Sequence, residues 1–192
     1  HMDAQEDWRG QTALMWAAAE DHPSAVHTLA ELGADIDQRS SGGWSALLFA
    51  VRSGKLEAAK ALLKAGADVN DTIRATGDDN KDAPRGRATG MSALVIAITN
   101  AHYSLARYLV EQGADPNAAD QGWSALHQLA YTRRPNTGKG MPPVERIDPL
   151  DSFELANFLL SRGADPNQRQ TTRFNNGERN NLNRAGATPY LL

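Results

Sequence analysis

The chain has 192 residues, 41% of them apolar and 22% charged, with a formal net charge of −3. This is the make-up of an ordinary globular protein, and so weak a negative bias argues against nucleic acid or an anionic membrane as the partner. Having no cysteine, the chain has no disulfide, thiolate metal site or cysteine nucleophile, and no run of about 18 apolar residues offers a transmembrane helix.

From the N-terminus, His1-Met2 reads as a remnant of tag removal, and no secretory signal follows. The compartment is therefore open. Asp3 to Gly10 reads as the tail of a hairpin. Thr12-Ala13-Leu14 then starts a helix, because a Thr or Ser oxygen can accept a bond from an orphan N–H of the first turn. Leu14, Ala17 and Ala18 recur at helical spacing. A turn is expected at Asp21-His22-Pro23, then a second helix that ends at Gly33-Ala34-Asp35. The next unit repeats the order: Ser45-Ala46-Leu47, a turn at Ser53-Gly54, and a helix over 56–65 with Leu56, Ala59, Leu62 and Leu63 on one face. Gly66 ends that helix, since glycine takes the left-handed conformation such ends need.

The same signatures return at Ser92-Ala93-Leu94 with Gly113-Ala114-Asp115, and at Ser124-Ala125-Leu126 with Gly163-Ala164-Asp165. Thr188-Pro189-Tyr190 begins a fifth copy. From the hydroxyl residue to the glycine is 21 residues in the first three units, and the first two glycines lie 33 apart. One helix pair cannot bury its own apolar face, so repeated pairs must stack, each touching only its neighbours.

These residues resemble the ankyrin-repeat family, over roughly residues 5–192. Gly66-Ala67-Asp68-Val69-Asn70 and Gly113-Ala114-Asp115-Pro116-Asn117 follow the family's pattern closely. Its Thr-Pro-Leu-His box is altered, with Ala13, Ala46, Ala93 and Ala125 in place of proline. Histidine stands only at His127, with Met15, Leu48 and Val95 elsewhere. In the family that histidine ties units together, so its absence should leave more of the stability to apolar packing. The resemblance implies an all-α solenoid of four helix-turn-helix repeats, at about 11–43, 44–90, 91–122 and 123–187, plus the start of a fifth at 188–192, forming one domain over 1–192. The repeat style also resembles long bacterial ankyrin arrays, and both ends read as cut from a longer array.

Three insertions break the period. From Gly66 to Ser92 is 26 residues where Gly33 to Ser45 is 12. From Gly163 to Thr188 is 25, and from Ser124 to Gly163 is 39 instead of 21. The excess falls within 71–90 and 168–186, in two hairpins, and within 132–150, between the helices of the fourth unit. Loops this long are either functional or disordered. The hairpin insertions should project as two fingers on one side of the stack, carrying Arg74, Arg85 and Arg87 on the first and Arg169, Arg173 and Arg179 on the second. They form either a clamp or solvated loops. The inter-helix insertion is expected to pack as a flap.

In the family the residue before the Thr/Ser cap points to the recognition face, which here gives Gln11, Trp44, Met91 and Trp123. Glu20, Arg52, Asn100 and Tyr131 should line the same concave face. Tryptophan is enriched where partners bind, but Trp44 and Trp123 could instead be covered by the fingers. Trp16 and Phe49 fall at inward positions and are expected in the core.

No reactive constellation emerges. His22, His27, His102 and His127 lack ligand spacing. Asp78-Asp79-Asn80-Lys81-Asp82 echoes a calcium loop, but Ala83 and Thr89 occupy its glycine and glutamate positions. Gly138-Lys139-Gly140 is not a phosphate loop. The expectation is a monomeric, non-enzymatic module without metal or cofactor, binding a protein or peptide. The alternatives are a small-molecule or glycan pocket roofed by the fingers, or a structural spacer.

Overall fold

The computed structural model describes residues 1–74, 89–132, 148–172 and 185–189. Among these there are eight helices: α1 (Ala13–Ala19), α2 (Pro23–Glu31), α3 (Ala46–Arg52), α4 (Leu56–Lys64), α5 (Ala93–Thr99), α6 (Tyr103–Glu111), α7 (Ala125–Thr132) and α8 (Ser152–Ser161). The only β-pairing among them is an isolated bridge between Thr72 and Ser92. The first helices pack in one row, α1 on α3, α3 on α5 and α5 on α7. Behind them α2 packs on α4 and α6 on α8. This is the helix-pair solenoid that the repeats require.

The core runs along the seam between the rows. Leu47, Leu62, Leu94, Ile98, Leu109, Leu129, Leu155 and Leu159 are closed off from solvent, each contributing about 1.5–3 kcal/mol of burial. Ala18, Ala50, Ala59, Ala97 and Ala106 are equally buried. Their small side chains let the helices approach closely. Short helices like these are marginal alone and depend on this packing.

Thr12, Ser45 and Ser92 cap α1, α3 and α5 by accepting the N–H of Met15, Leu48 and Val95 at 3.4, 3.2 and 3.3 Å. The second helices have weaker starts, since His22, Lys55 and His102 offer no side-chain cap. Pro23, as the first residue of α2, removes one donor in need of a partner. The α4 start borrows Asp21 from the preceding unit, whose Oδ1 accepts from the Ala58 N–H at 3.1 Å. The α6 start borrows Asp148 from the following unit, which takes the Ser104 N–H at 2.9 Å and its hydroxyl at 2.6 Å. Asp148 belongs to the inter-helix insertion, so the end of that segment is fastened onto its neighbour. Residues 133–147 lie outside the described residues.

The Gly-Ala-Asp glycines sit in like surroundings. Gly66 has φ +104°, and a Cβ there would meet nothing within 4 Å. Gly33, Gly113 and Gly163 also have positive φ and open space. Just after Gly66 and Gly113, a side chain reaches to the next unit: Asn70 Oδ1 accepts the Asp115 N–H at 2.8 Å and Asn117 Oδ1 the Asp165 N–H at 2.7 Å. Asp3 does the same for Asp35 at 2.8 Å. Residues 3–10 do form a hairpin of the common kind, with the Glu6 N–H bonded to the Gln11 carbonyl at 3.0 Å.

Candidate functional site

The hairpins and the first helices share one face, and side-chain contacts define it. The Trp44 ring lies 5.8 Å from that of Phe49, tilted by 37°. The Arg52 guanidinium stands 5.4 Å above the Trp44 ring. In the fourth unit the Trp123 indole N–H donates to Gln128 Oε1 at 3.0 Å. Trp44 thus meets the residues four and seven positions beyond its cap and Trp123 the residue four beyond, and the repeat frame extends these positions to the other units. These rows are Gln11, Trp44, Met91 and Trp123, then Trp16, Phe49, Ile96 and Gln128, then Ala19, Arg52, Thr99 and Tyr131.

Hairpin geometry explains why the first row is held firmly. The N–H of Ser40 donates to the Trp44 carbonyl at 2.9 Å, that of Ile73 to Met91 at 3.1 Å, and that of Gln170 to Ala187 at 2.9 Å. A glycine precedes each of these acceptors, Gly43, Gly90 and Gly186, and its N–H closes the turn onto Ser40, Ile73 and Gln170 at 2.9, 2.8 and 2.7 Å. Both hairpin insertions leave from this closed base without altering it. The Arg74 N–H also donates to the Gly43 carbonyl at 3.2 Å, so successive hairpins lie edge to edge. A Cβ on Gly43 would collide with the Arg74 carbonyl. Sequence reasoning missed this second glycine series, although Gly-x-Thr/Ser recurs at Gly10, Gly43, Gly90 and Gly122.

The predicted residues divide. Gln11, Trp44 and Met91 are half-buried, and Glu20, Arg52 and Asn100 are exposed on this side. Tyr131 is half-buried. Trp123 is only 7% exposed and belongs to the interior of its unit. Trp16 departs from the expected core position, being 55% exposed. A helical repeat of apolar residues cannot tell the seam from the rim of the next turn, and Trp16 falls on the rim. Phe49 is half-buried against Trp44. The open aromatic surface is therefore Trp16, Trp44 and Phe49, in the first two units. Trp8, on the first hairpin, is 74% exposed, with Arg9 4.4 Å over its ring. Among the finger arginines, Arg74 and Arg169 are exposed. Arg85, Arg87, Arg173 and Arg179 lie outside the described residues.

Beneath the face two different polar junctions join the units. Asp71 is 8% exposed in its side chain and pairs with Arg39 at 2.5 Å. It also accepts the Ser45 hydroxyl at 2.5 Å. Arg39 reaches the Thr72 carbonyl as well, at 3.1 Å. An ionic cluster thus does between these units what the missing histidine does in the family pattern, and packing is not left to act alone. In the fourth unit His127 Nδ1 accepts the Ser124 N–H at 3.2 Å, which puts the ring proton on Nε2, where it faces the Ala187 carbonyl at 3.2 Å. Burial lowers the His127 pKa, opposed by its bonds to backbone carbonyls. In the first unit the Met15 sulfur takes this place, 3.5 Å from the Thr12 N–H.

A groove of about 770 Å³ opens on the other side, between α2 and α4, lined by Pro23, His27, Glu31, Ile36, Lys60 and Lys64. All of its lining residues belong to the first two units. Among the described residues no helix is long and apolar enough to cross a membrane.

Known proteins place this architecture. A family model of ankyrin repeats in three copies matches residues 1–73, and a second, of ankyrin repeats in many copies, matches residues 92–137. Together they cover more than half of the chain. The mouse protein "Ankyrin repeat and SAM domain-containing protein 6" is 46% identical over 61 residues, 31% of this chain and 7% of the mouse protein. The chain thus corresponds to a small fraction of that relative.

Proposed function

This chain belongs to the ankyrin-repeat family, whose repeats generally mediate protein–protein interactions, and from that premise we propose that it binds a protein or peptide partner across the face made by α1, α3 and their hairpins. The observation that carries this reading is the open aromatic surface of Trp16, Trp44 and Phe49, when the equivalent Ile96 and Trp123 are buried. Aromatic side chains exposed or half-exposed on a rigid scaffold supply large contact area at low entropic cost. The half-buried Met91 borders them, while Gln11, Glu20, Arg52 and Asn100 provide a polar rim. Both hairpin insertions begin and end on this side, where the Gly90 N–H bonds to the Ile73 carbonyl and the Gly186 N–H to the Gln170 carbonyl.

The test is selection of displayed peptides on the intact chain, followed by affinity measurement against Trp16→Ala and Trp44→Ala. Each substitution is expected to weaken binding about tenfold or more with helicity unchanged by circular dichroism. Unchanged affinity in both variants removes this face from the reading.

A further inference from the structure

Trp44 carries more than apolar area. Its ring is flanked by Phe49 at 5.8 Å and by the Arg52 guanidinium at 5.4 Å. Arg52 is the last residue of α3, and its carbonyl is held by the His102 ring at 3.2 Å. The side chain thus departs from a fixed backbone and rests on an aromatic surface. Stacking leaves a guanidinium's in-plane donors free, and that fork matches a carboxylate. Among the described residues no carboxylate lies within ion-pairing distance of Arg52. Arg74, bonded through its N–H to the carbonyl of Gly43 beside Trp44, is likewise exposed without a carboxylate partner among the described residues. Two other cations of these units are engaged: Arg39 with Asp71, and Lys60 with Glu57 at 2.7 Å.

One unit away the sign changes. Glu20 ends α1, exposed, close in sequence to Trp16. A carboxylate is repelled there and drawn to Arg52, while an apolar side chain is favoured over Trp16. Packed helix axes lie about 8–10 Å apart, and an extended chain advances about 3.3 Å per residue. Three residues of extended peptide span neighbouring units.

Resting on the function proposed above, we infer that the partner is an extended acidic–apolar segment, with an Asp or Glu on Arg52 about three residues from a bulky apolar side chain on Trp16. The whole chain carries −3, so attraction of such a segment is local to the second unit. Glu20 sets its direction by excluding the reversed register.

Peptides of random sequence displayed on phage and selected on the intact chain test this. Enriched peptides are expected to carry Asp or Glu three residues from Trp, Phe, Leu or Met. Fluorescence anisotropy should then show Arg52→Ala binding them about tenfold or more weakly. Arg52→Lys, which keeps the charge but not the fork, should recover only part of the loss. Raising salt should weaken binding to the native chain more than to Arg52→Ala. Thermal melts of the variants check that the fold persists. Enriched peptides without an acidic residue, bound in a Trp44-dependent way and equally by Arg52→Ala, overturn this inference and leave the function proposed above in place. Recovery of no peptide, or of peptides insensitive to Trp16→Ala, Trp44→Ala and Arg52→Ala alike, overturns both.

Discussion

The second and fourth units place a tryptophan at the same repeat position, and the two rings live in opposite surroundings. Trp44 has an aromatic neighbour and an arginine four and seven positions beyond its cap, so it stays at the surface with a cation on its ring. Trp123 has a glutamine at the first of those positions. Gln128, 1% exposed, receives the indole N–H and lets the whole ring sink. The junctions beneath differ in the same way, ionic through Asp71 and Arg39 in one, neutral through His127 in the other. One repeat frame thus supports an exposed aromatic surface at one end and a sealed core at the other, according to what stands one helical turn away.

The largest expected effect sharpens that contrast. Trp123→Ala should cost about 3–5 kcal/mol of stability, the range for a buried aromatic, while Trp44→Ala should cost about 1 kcal/mol and act mainly on binding. Denaturant titration of both variants measures it, and equal losses would break the comparison. Asp71→Ala should cost about 3 kcal/mol, because Arg39 keeps its burial and loses its partner. The same titration of an Asp71→Ala, Arg39→Met double variant should recover part of the loss. Gly43→Ala comes next, at about 2 kcal/mol or more, since both its φ of +78° and the Arg74 carbonyl oppose a side chain. Gly66→Ala should cost about 1 kcal/mol, because only its conformation opposes the change.

The smallest effect is one of pH. His127 has a lowered pKa in the folded chain, so the unfolded chain takes up the proton first as the pH falls. Stability from this site is constant above the ordinary histidine pKa of about 6.5 and declines below it, until the folded pKa is passed. His127→Leu, which copies Leu48 at the equivalent position, should remove that decline in melting temperatures recorded between about pH 7 and pH 5.

Much of the fold was legible because its signals are local. Thr12, Ser45 and Ser92 cap helices where the sequence places caps, and the helix expected over 56–65 runs from Leu56 to Lys64. Asp21, expected in a turn, is there with φ of +61°, but its side chain also caps a helix of the next unit, which spacing within one unit does not reveal. The candidate face was half legible. Trp44, Met91 and Arg52 are where the repeat frame puts them, while Trp16 turned outward and Trp123 inward. Asp71, which the sequence places at the start of an insertion, proves to be the centre of a buried cluster.

By itself the sequence determined the unit, its two helices, its caps and its glycines. Each of these depends on hydrogen bonds and conformations within a few residues, and repetition reinforces the signal. Only the tertiary structure decided which tryptophan meets solvent, which charges pair between units and where a helix finds its cap. Those outcomes depend on side chains from different units, tens of residues apart in the chain, competing for the same few ångströms of space.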